Sequence, residues 1–252
     1  MTSTGAASSR RRGRRLGRAA VYALVTGAVL FGVGFLVRSR WDPLIALDDR
    51  VIGALTAVTR SSPGFRDALI LWQEATRPIL LHTAGTLLCL WVWLGRGMRT
   101  RAWWAFATLM VSWAVGLGAK YLFQRARPIV EDPVSEAPGF SFPSGHALNS
   151  AAFTVTVIIL VWPIVTSRVA RSVMVAVGAA VVLATALDRV FLGVHYPSDV
   201  TVGVLTGAGL VLASYAGYSN WRPTDPEPAH DPDLSTDTGA DPDVVDDRHA
   251  SR

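Results

Sequence analysis

Ala147–Ser167 reads ALNSAAFTVTVIILVWPIVTS, 21 residues without a single charge. A bilayer core takes about 20 mostly apolar residues per helix, so this stretch is long enough to cross one. Working outward in both directions, uncharged runs of similar size recur. They are Ala19–Val37 with 19 residues, Pro78–Leu94 with 17, Ala102–Ala119 with 18, Ser172–Leu187 with 16 and Val200–Trp221 with 22. The runs are continuous rather than alternating, which selects helices over a barrel. The sequence therefore predicts an all-α, integral membrane bundle of six transmembrane helices.

The remaining composition agrees with a membrane chain. Half of the 252 residues are apolar and 17% are charged, against roughly 25% in soluble domains. One cysteine, Cys89, excludes a disulfide scaffold and reads as a small packing residue. The net charge of +5 is not a nucleic-acid footprint, because the basic residues form no module with interleaved aromatics. Instead, six Arg crowd Arg10–Arg18 and nine acids crowd Asp225–Asp247. Three parts follow: a basic cytoplasmic tail over 1–18, a six-helix membrane domain over 19–218 with an outer loop at 38–77, and an acidic cytoplasmic tail over 219–252. The last part is polar enough to be expected disordered.

The first run resembles a signal peptide, but it is long, lacks a small-x-small cleavage site and is followed by Arg38 and Arg40, so it reads as a retained helix. Arg10–Arg18, Arg96–Arg101 and Arg168–Arg171 fall on one side of six spans. By the bias of basic residues toward the cytoplasm, that side and both termini are cytoplasmic. In the outer loop, Val51, Ile52, Leu55 and Val58 are expected to form one apolar face of an amphipathic helix. Trp72, Trp91, Trp93, Trp103 and Trp104 suit interface belts and lipid-facing packing.

On this topology three polar clusters share the outer side. Lys120, the one Lys among 24 basic residues, lies seven positions before Arg127. Two helical turns would stack both on one face, with Pro128 ending the helix. Such a pair suits an anion, and alone it suits an interfacial anchor equally well. Next, Phe142-Pro143-Ser144-Gly145-His146 precedes an apolar span. Ser144 is placed to cap it, Gly145 lets the backbone approach a ligand, and the free N–H groups can cradle an anion. His146 could protonate a leaving group; a plain capped helix start is the alternative. Finally, Arg189, His195 and Asp199 surround the start of the last span, with Pro197 suited to its first turn. A carboxylate four residues after a His can hold one ring nitrogen and leave the other free to attack; a salt-linked turn is the alternative.

The ordered set Lys120-x6-Arg127-Pro128, Pro143-Ser144-Gly145-His146 and Arg189-x5-His195-x3-Asp199 resembles the type 2 phosphatidic acid phosphatase (PAP2) superfamily, over roughly residues 42–218. The resemblance implies a bacterial membrane lipid phosphatase that uses neither metal nor cofactor. In it His195 is the nucleophile that becomes phosphohistidine, Asp199 orients it, and His146 protonates the leaving oxygen and then activates water. Lys120, Arg127, Arg189, Ser144 and Gly145 hold the phosphoryl oxygens. The expected partners are a lipid phosphate substrate and the surrounding membrane lipids, with no nucleic acid. The expected place is the cytoplasmic membrane, with the site facing outward. Candidate substrates are polyprenyl diphosphates, phosphatidic acid and phosphatidylglycerol phosphate. A broad acid phosphatase and a catalytically idle lipid-binding protein are the competing readings.

One departure stands out. The family commonly has Ser before the third-motif Arg, where this chain has Asp188; that carboxylate could buttress Arg189 or repel substrate. His82 reads as a hydrogen-bonded interior His rather than a substrate contact. Glu131, Asp132 and Glu136 fall in the outer loop between the first two motifs.

Overall fold

The computed structural model describes residues 3–129 and 138–219, with side chains from Arg12 onward. Glu131, Asp132, Glu136, the side chains of Arg10 and Arg11 and the acidic segment after Ser219 lie outside the described residues. Eight helices are described: α1 Ser3–Arg38, α2 Asp42–Ser61, α3 Pro63–Ala75, α4 Pro78–Arg96, α5 Arg99–Phe123, α6 Gly145–Val161, α7 Arg168–Phe191 and α8 Pro197–Tyr218. Five of them, α1, α4, α5, α7 and α8, are long and apolar enough to cross a membrane, and α6 is a shorter apolar helix. The six predicted spans each fall on one of these helices, and α2 and α3 occupy the predicted outer loop.

The surface is inverted relative to a soluble protein. Leu24, Phe35, Leu71, Leu94, Val169 and Leu183 are exposed, while Ser112, Thr156, Thr185 and Thr206 are buried. A belt of apolar side chains facing outward is stable only in lipid, and an inward hydroxyl can bond across helices, as Thr185 and Ser214 do. Trp104 Nε1 donates to Ser214 Oγ at 2.9 Å and Trp72 Nε1 to Thr185 Oγ1 at 3.2 Å. Trp104 is consequently a buried packing residue rather than a lipid-facing one, whereas Trp91 and Trp103 are exposed. Cys89 packs with Val92, Ala105 and Leu160 in an apolar cluster.

Local chemistry sets the helix ends. Gly97 adopts φ 68° after α4; its N–H reaches Trp93 O at 3.1 Å and that of Met98 reaches Val92 O at 3.3 Å, a left-handed cap that glycine adopts without steric cost. The uncharged run 147–167 does not continue as one helix. It stops at Val161: Trp162 keeps helical angles, φ −50° and ψ −41°, but Pro163 has no N–H to continue the ladder. The freed carbonyls are taken by guanidinium groups: Arg101 bonds Ile159 O and Leu160 O, and Arg171 bonds Val165 O and Trp162 O.

Two contacts place the site. First, α8 runs parallel to α6 at very close range. A Cβ on Gly203 would come 2.8 Å from Ser144 O, and one on Gly207 would collide with Leu148 O. Only glycine permits that backbone approach. Gly207→Val is therefore expected to lower the thermal midpoint in detergent by roughly 10 °C or more, through overpacking against backbone that cannot yield. An unchanged midpoint would show that the helices can part without cost. Second, α2 lies across the site end of the bundle. Val51, Ile52 and Leu55 pack with Ala147, Val190 and Val200, as the apolar face predicts, but Val58 is exposed. The buried face of α2 is instead Asp48, Ile52, Thr56 and Thr59.

Candidate active site

Helix ends build the site. The C-terminal ends of α5 and α7, the N-terminal ends of α6 and α8, and the buried face of α2 meet there. Pro197 opens α8, and Asp199 in its first turn accepts from the Tyr196 N–H at 3.0 Å, so the carboxylate caps the helix. The Ser144 N–H donates to Asp199 O at 3.0 Å, joining the starts of α6 and α8.

The structure brings His195 and Asp199 together. Nδ1 of His195 lies 3.4 Å from Asp199 Oδ2 and 3.4 Å from Ser141 Oγ. Ser141 Oγ in turn donates to Asp199 Oδ2. Nε2 points the other way, 3.2 Å from Arg127 Nη1. Burial holds the ring far below its ordinary value, at about 3, against the raising effect of the hydrogen bond and charge of Asp199; Arg127 and Lys120 lower it further. A neutral imidazole results, one nitrogen on a carboxylate and the other facing cations.

Around Nε2 stand the other predicted residues. Arg127 also donates to Val194 O, Gly139 O and Pro138 O, which fixes its fork. Lys120 Nζ donates to Phe140 O at 2.7 Å. A Cβ on Gly145 would lie 3.6 Å from Lys120 Cε, so the α6 start and this ammonium flank one space. Ser144 occupies the N-cap position, but its hydroxyl makes no cap bond. Among the described residues, Ser144 Oγ and His146 Nε2 are both buried without a hydrogen-bond partner, the condition a ligand relieves. His146 is bonded to the Gln73 backbone and interacts electrostatically with Arg189, His195 and Lys120. All eight candidate residues thus share one cluster.

The expectation that Lys120 and Arg127 stack on one helix is corrected. Helix α5 ends at Phe123, and Gln124 turns left-handed with φ 48°. Arg127 reaches the site from the loop. The early exit releases Arg125, which sequence reasoning missed. This guanidinium is buried and bonds Asp199 Oδ1 at 2.6 Å, Ser198 Oγ at 2.8 Å and Asp48 Oδ2 at 2.7 Å. It also covers the Tyr196 ring at 3.9 Å. Burial works against its charge, but Asp199 and Asp48 outweigh it and raise its pKa. The signal available beforehand was an extra cation two residues before Arg127 and an acid pair, Asp48-Asp49, on an amphipathic helix.

Asp188 also finds its place. Its Oδ2 accepts from Arg189 Nε at 2.9 Å and Nη2 at 2.5 Å, and Nη2 bonds Gln73 Oε1 at 2.8 Å. The unusual carboxylate buttresses Arg189. His82 is an interior His: Nε2 meets Asn149 Oδ1 at 2.8 Å, and Asn149 Nδ2 donates to Gly145 O at 2.7 Å.

Comparison with known proteins agrees with the architecture. The chain matches the PAP2 superfamily over residues 101–223. It is 34% identical over 125 residues to the decaprenylphosphoryl-5-phosphoribose phosphatase of Mycobacterium tuberculosis, covering 47% of this chain and 64% of the relative. It is 36% identical over 104 residues to an Escherichia coli K12 protein provisionally named an undecaprenyl-diphosphatase, covering 40% of this chain and 46% of that one. The chain thus spans less than two thirds of the length of these relatives. A transmembrane PAP2 type phosphatidylglycerolphosphate phosphatase from Bacillus subtilis shares the fold with a TM-score of 0.65 at 19% identity, over 73% of this chain and 92% of that one. The chain is an integral membrane protein whose residues 101–223 match the PAP2 superfamily.

Proposed function

We propose that this protein hydrolyses phosphate or diphosphate groups on polyprenyl-type lipids, at the outer face of the membrane, through a phosphohistidine on His195. The observation that carries the reading is the two-sided setting of His195: Asp199 on Nδ1 and Arg127 beside Nε2.

In the first half-reaction, Nε2 attacks phosphorus as the bond to the leaving oxygen breaks. Asp199 stabilises the ring, which keeps its Nδ1 proton and gains positive charge. His146 gives its proton to the leaving oxygen. In the second half, His146 takes a proton from water, the hydroxide oxygen bonds to phosphorus, and the N–P bond breaks. Inorganic phosphate leaves and His195 is restored. The phosphoryl group carries charge spread over three oxygens, so fixed donors supply most of the stabilisation. Lys120, Arg127 and Arg189 supply cations, and Ser144 with the Gly145 backbone supplies hydrogen bonds at a helix N-terminus.

The outward orientation is supported by the opposite end of the bundle. Arg96–Arg101 and Arg168–Arg171 lie there, as does the start of α1 with exposed Arg12 and Arg14, the basic enrichment of a cytoplasmic side. The polyprenyl class is supported by the names of the two relatives. A site at helix ends suits a charged head on a membrane-held tail.

The test is phosphate release by purified protein in detergent with a chelator present. The substrates are a polyprenyl diphosphate, a polyprenyl monophosphate, phosphatidic acid and a soluble ester. The expected result is turnover of the polyprenyl substrates, undiminished by chelation and inhibited by vanadate. Loss with chelator and recovery with magnesium would overturn the metal-free mechanism. Preference for the soluble ester would overturn the lipid assignment.

A further inference from the structure

We infer that Arg125 and Asp48 are positioning residues that hold Asp199, and through it His195, in the geometry for attack. The inference rests on the phosphohistidine reading and extends it to a helix, α2, that carries none of the three motifs.

The arrangement is closed on itself. Arg125 Nη1 grips Asp199 Oδ1 at 2.6 Å, and Nη2 grips Asp48 Oδ2 at 2.7 Å. Asp48 Oδ1 accepts from the Ser198 N–H at 3.0 Å, and Asp48 Oδ2 from Ser198 Oγ at 2.5 Å. Ser198 Oγ also accepts from Arg125 Nη1 at 2.8 Å. Asp48, Ser198 and Asp199 are buried, as is Arg125. One carboxylate oxygen of Asp199 is thereby spent on Arg125. The other is left to Ser141, the Tyr196 N–H and His195 Nδ1. That division fixes the rotation of the carboxylate, and so which oxygen faces the imidazole.

Charge makes the arrangement specific. Among the described residues, the charged groups around Asp199 are Lys120 from α5, Arg125 and Arg127 from the loop after it and Asp48 from α2, and the neutral titratable group is His195 from the α7–α8 loop. Arg125 alone among them bonds both Asp199 and Asp48. Without its guanidinium, two buried carboxylates would face each other across Ser198, and repulsion in a poorly screened interior would turn Asp199 away from the ring. Residues that orient metal ligands typically matter by about 10–100-fold, and a similar size is expected for a residue that orients the carboxylate behind a nucleophile.

The experiment is a double-mutant cycle on kcat and KM for a polyprenyl phosphate in detergent, with His195→Ala as reference. Arg125→Met is expected to lower kcat by roughly 30–100-fold with KM within about threefold. Asp48→Asn alone is expected to cost only a few-fold. The variant combining both is expected to recover at least about fivefold over Arg125→Met, because it removes the uncompensated charge. A residue that merely staples the fold would give losses that multiply. Arg125→Met within twofold of wild type, or a multiplicative double variant, would overturn the inference. If Arg125→Met does not fold, Arg125→Lys decides: a compact ammonium cannot reproduce the planar fork whose Nη1 and Nη2 hold the two carboxylates separately, so about a tenfold loss in kcat is expected in folded protein, and no loss overturns the inference. Activity in His195→Ala would instead overturn the underlying reading, whatever the Arg125 variants do.

Discussion

Replacing His195 with Ala is expected to reduce phosphate release roughly 10⁴-fold or more, while the protein elutes as the same detergent particle with a thermal midpoint close to wild type. The reasoning follows from placement. His195 sits in the α7–α8 loop with Nδ1 against Asp199 and Nε2 beside Arg127. The surrounding cations can bind a phosphoryl group but cannot accept a covalent bond to phosphorus. Loss of a nucleophile from a unit that acts together removes nearly all covalent catalysis and leaves only binding. Residual activity within tenfold of wild type would assign the covalent step elsewhere. The same residue sets an expectation for pH. Its pKa lies at about 3 in the folded protein, chiefly through burial, against an ordinary value of 6.5. The ring therefore stays neutral and nucleophilic well into acid, and nitrogen-resolved NMR of labelled histidine should show no protonation of His195 between pH 5 and 8. The sign for stability follows. Because folding favours the neutral ring, the contribution is complete above about 6.5 and is lost as pH falls from 6.5 toward 3. A ring that titrates near 6.5 in the folded protein would contradict a buried, cation-flanked setting.

His146→Ala is the second large effect, and its size is expected to depend on what leaves. An alkyl oxygen departs poorly without a proton, whereas a nitrophenolate departs unaided. With a lipid monophosphate, the first turnover should fall about 10³-fold, within the range for general-acid catalysis. With nitrophenyl phosphate, the first-turnover burst should persist while steady-state release slows, because water attack on the phosphohistidine still lacks its base. The phosphorylated protein should accumulate in that case and be visible as an added phosphate by mass spectrometry at neutral pH. Equal losses in the first turnover of both substrates would remove His146 from proton transfer and leave it a binding role. The structural ground is its Nε2, which has no partner among the described residues and is buried in the cluster with Arg189, His195 and Lys120.

What the sequence made legible was chemistry confined to short stretches. Ser144-Gly145-His146 at a helix start and His195 four residues before Asp199 each imply a geometry from local spacing alone. The apolar runs marked the spans for the same reason, since crossing a bilayer is a requirement on contiguous residues. Misreadings arose where a local rule yielded to tertiary bonds. Seven residues between Lys120 and Arg127 suggested one helix face, but the left-handed turn at Gln124 sends Arg125 inward to Asp199 and Asp48 instead. Those partners are 74 and 77 positions away in the chain, so no periodicity points to them. Asp188 was visible as a departure, but its sense was open. Whether it repels an anion or steadies Arg189 depends on which way the carboxylate faces, and it faces the guanidinium.

The close approach of α6 and α8 carries a consequence for how a lipid enters. Gly203 and Gly207 press one backbone onto the other, and the Ser144 N–H is tied to Asp199 O. The proposed proton donor, the oxyanion-binding turn and the orienter of the nucleophile are therefore built on a single rigid jaw. Spreading these two helices to admit a bulky headgroup would dismantle the stereochemistry that the reaction requires. The surface helices α2 and α3 are fastened to the same end, Asp48 to Ser198 on α8 and Gln73 to Arg189 on α7. A headgroup therefore has to reach the site with the helix pair and these surface bonds both intact, because loosening either one disturbs Asp199 or Arg189.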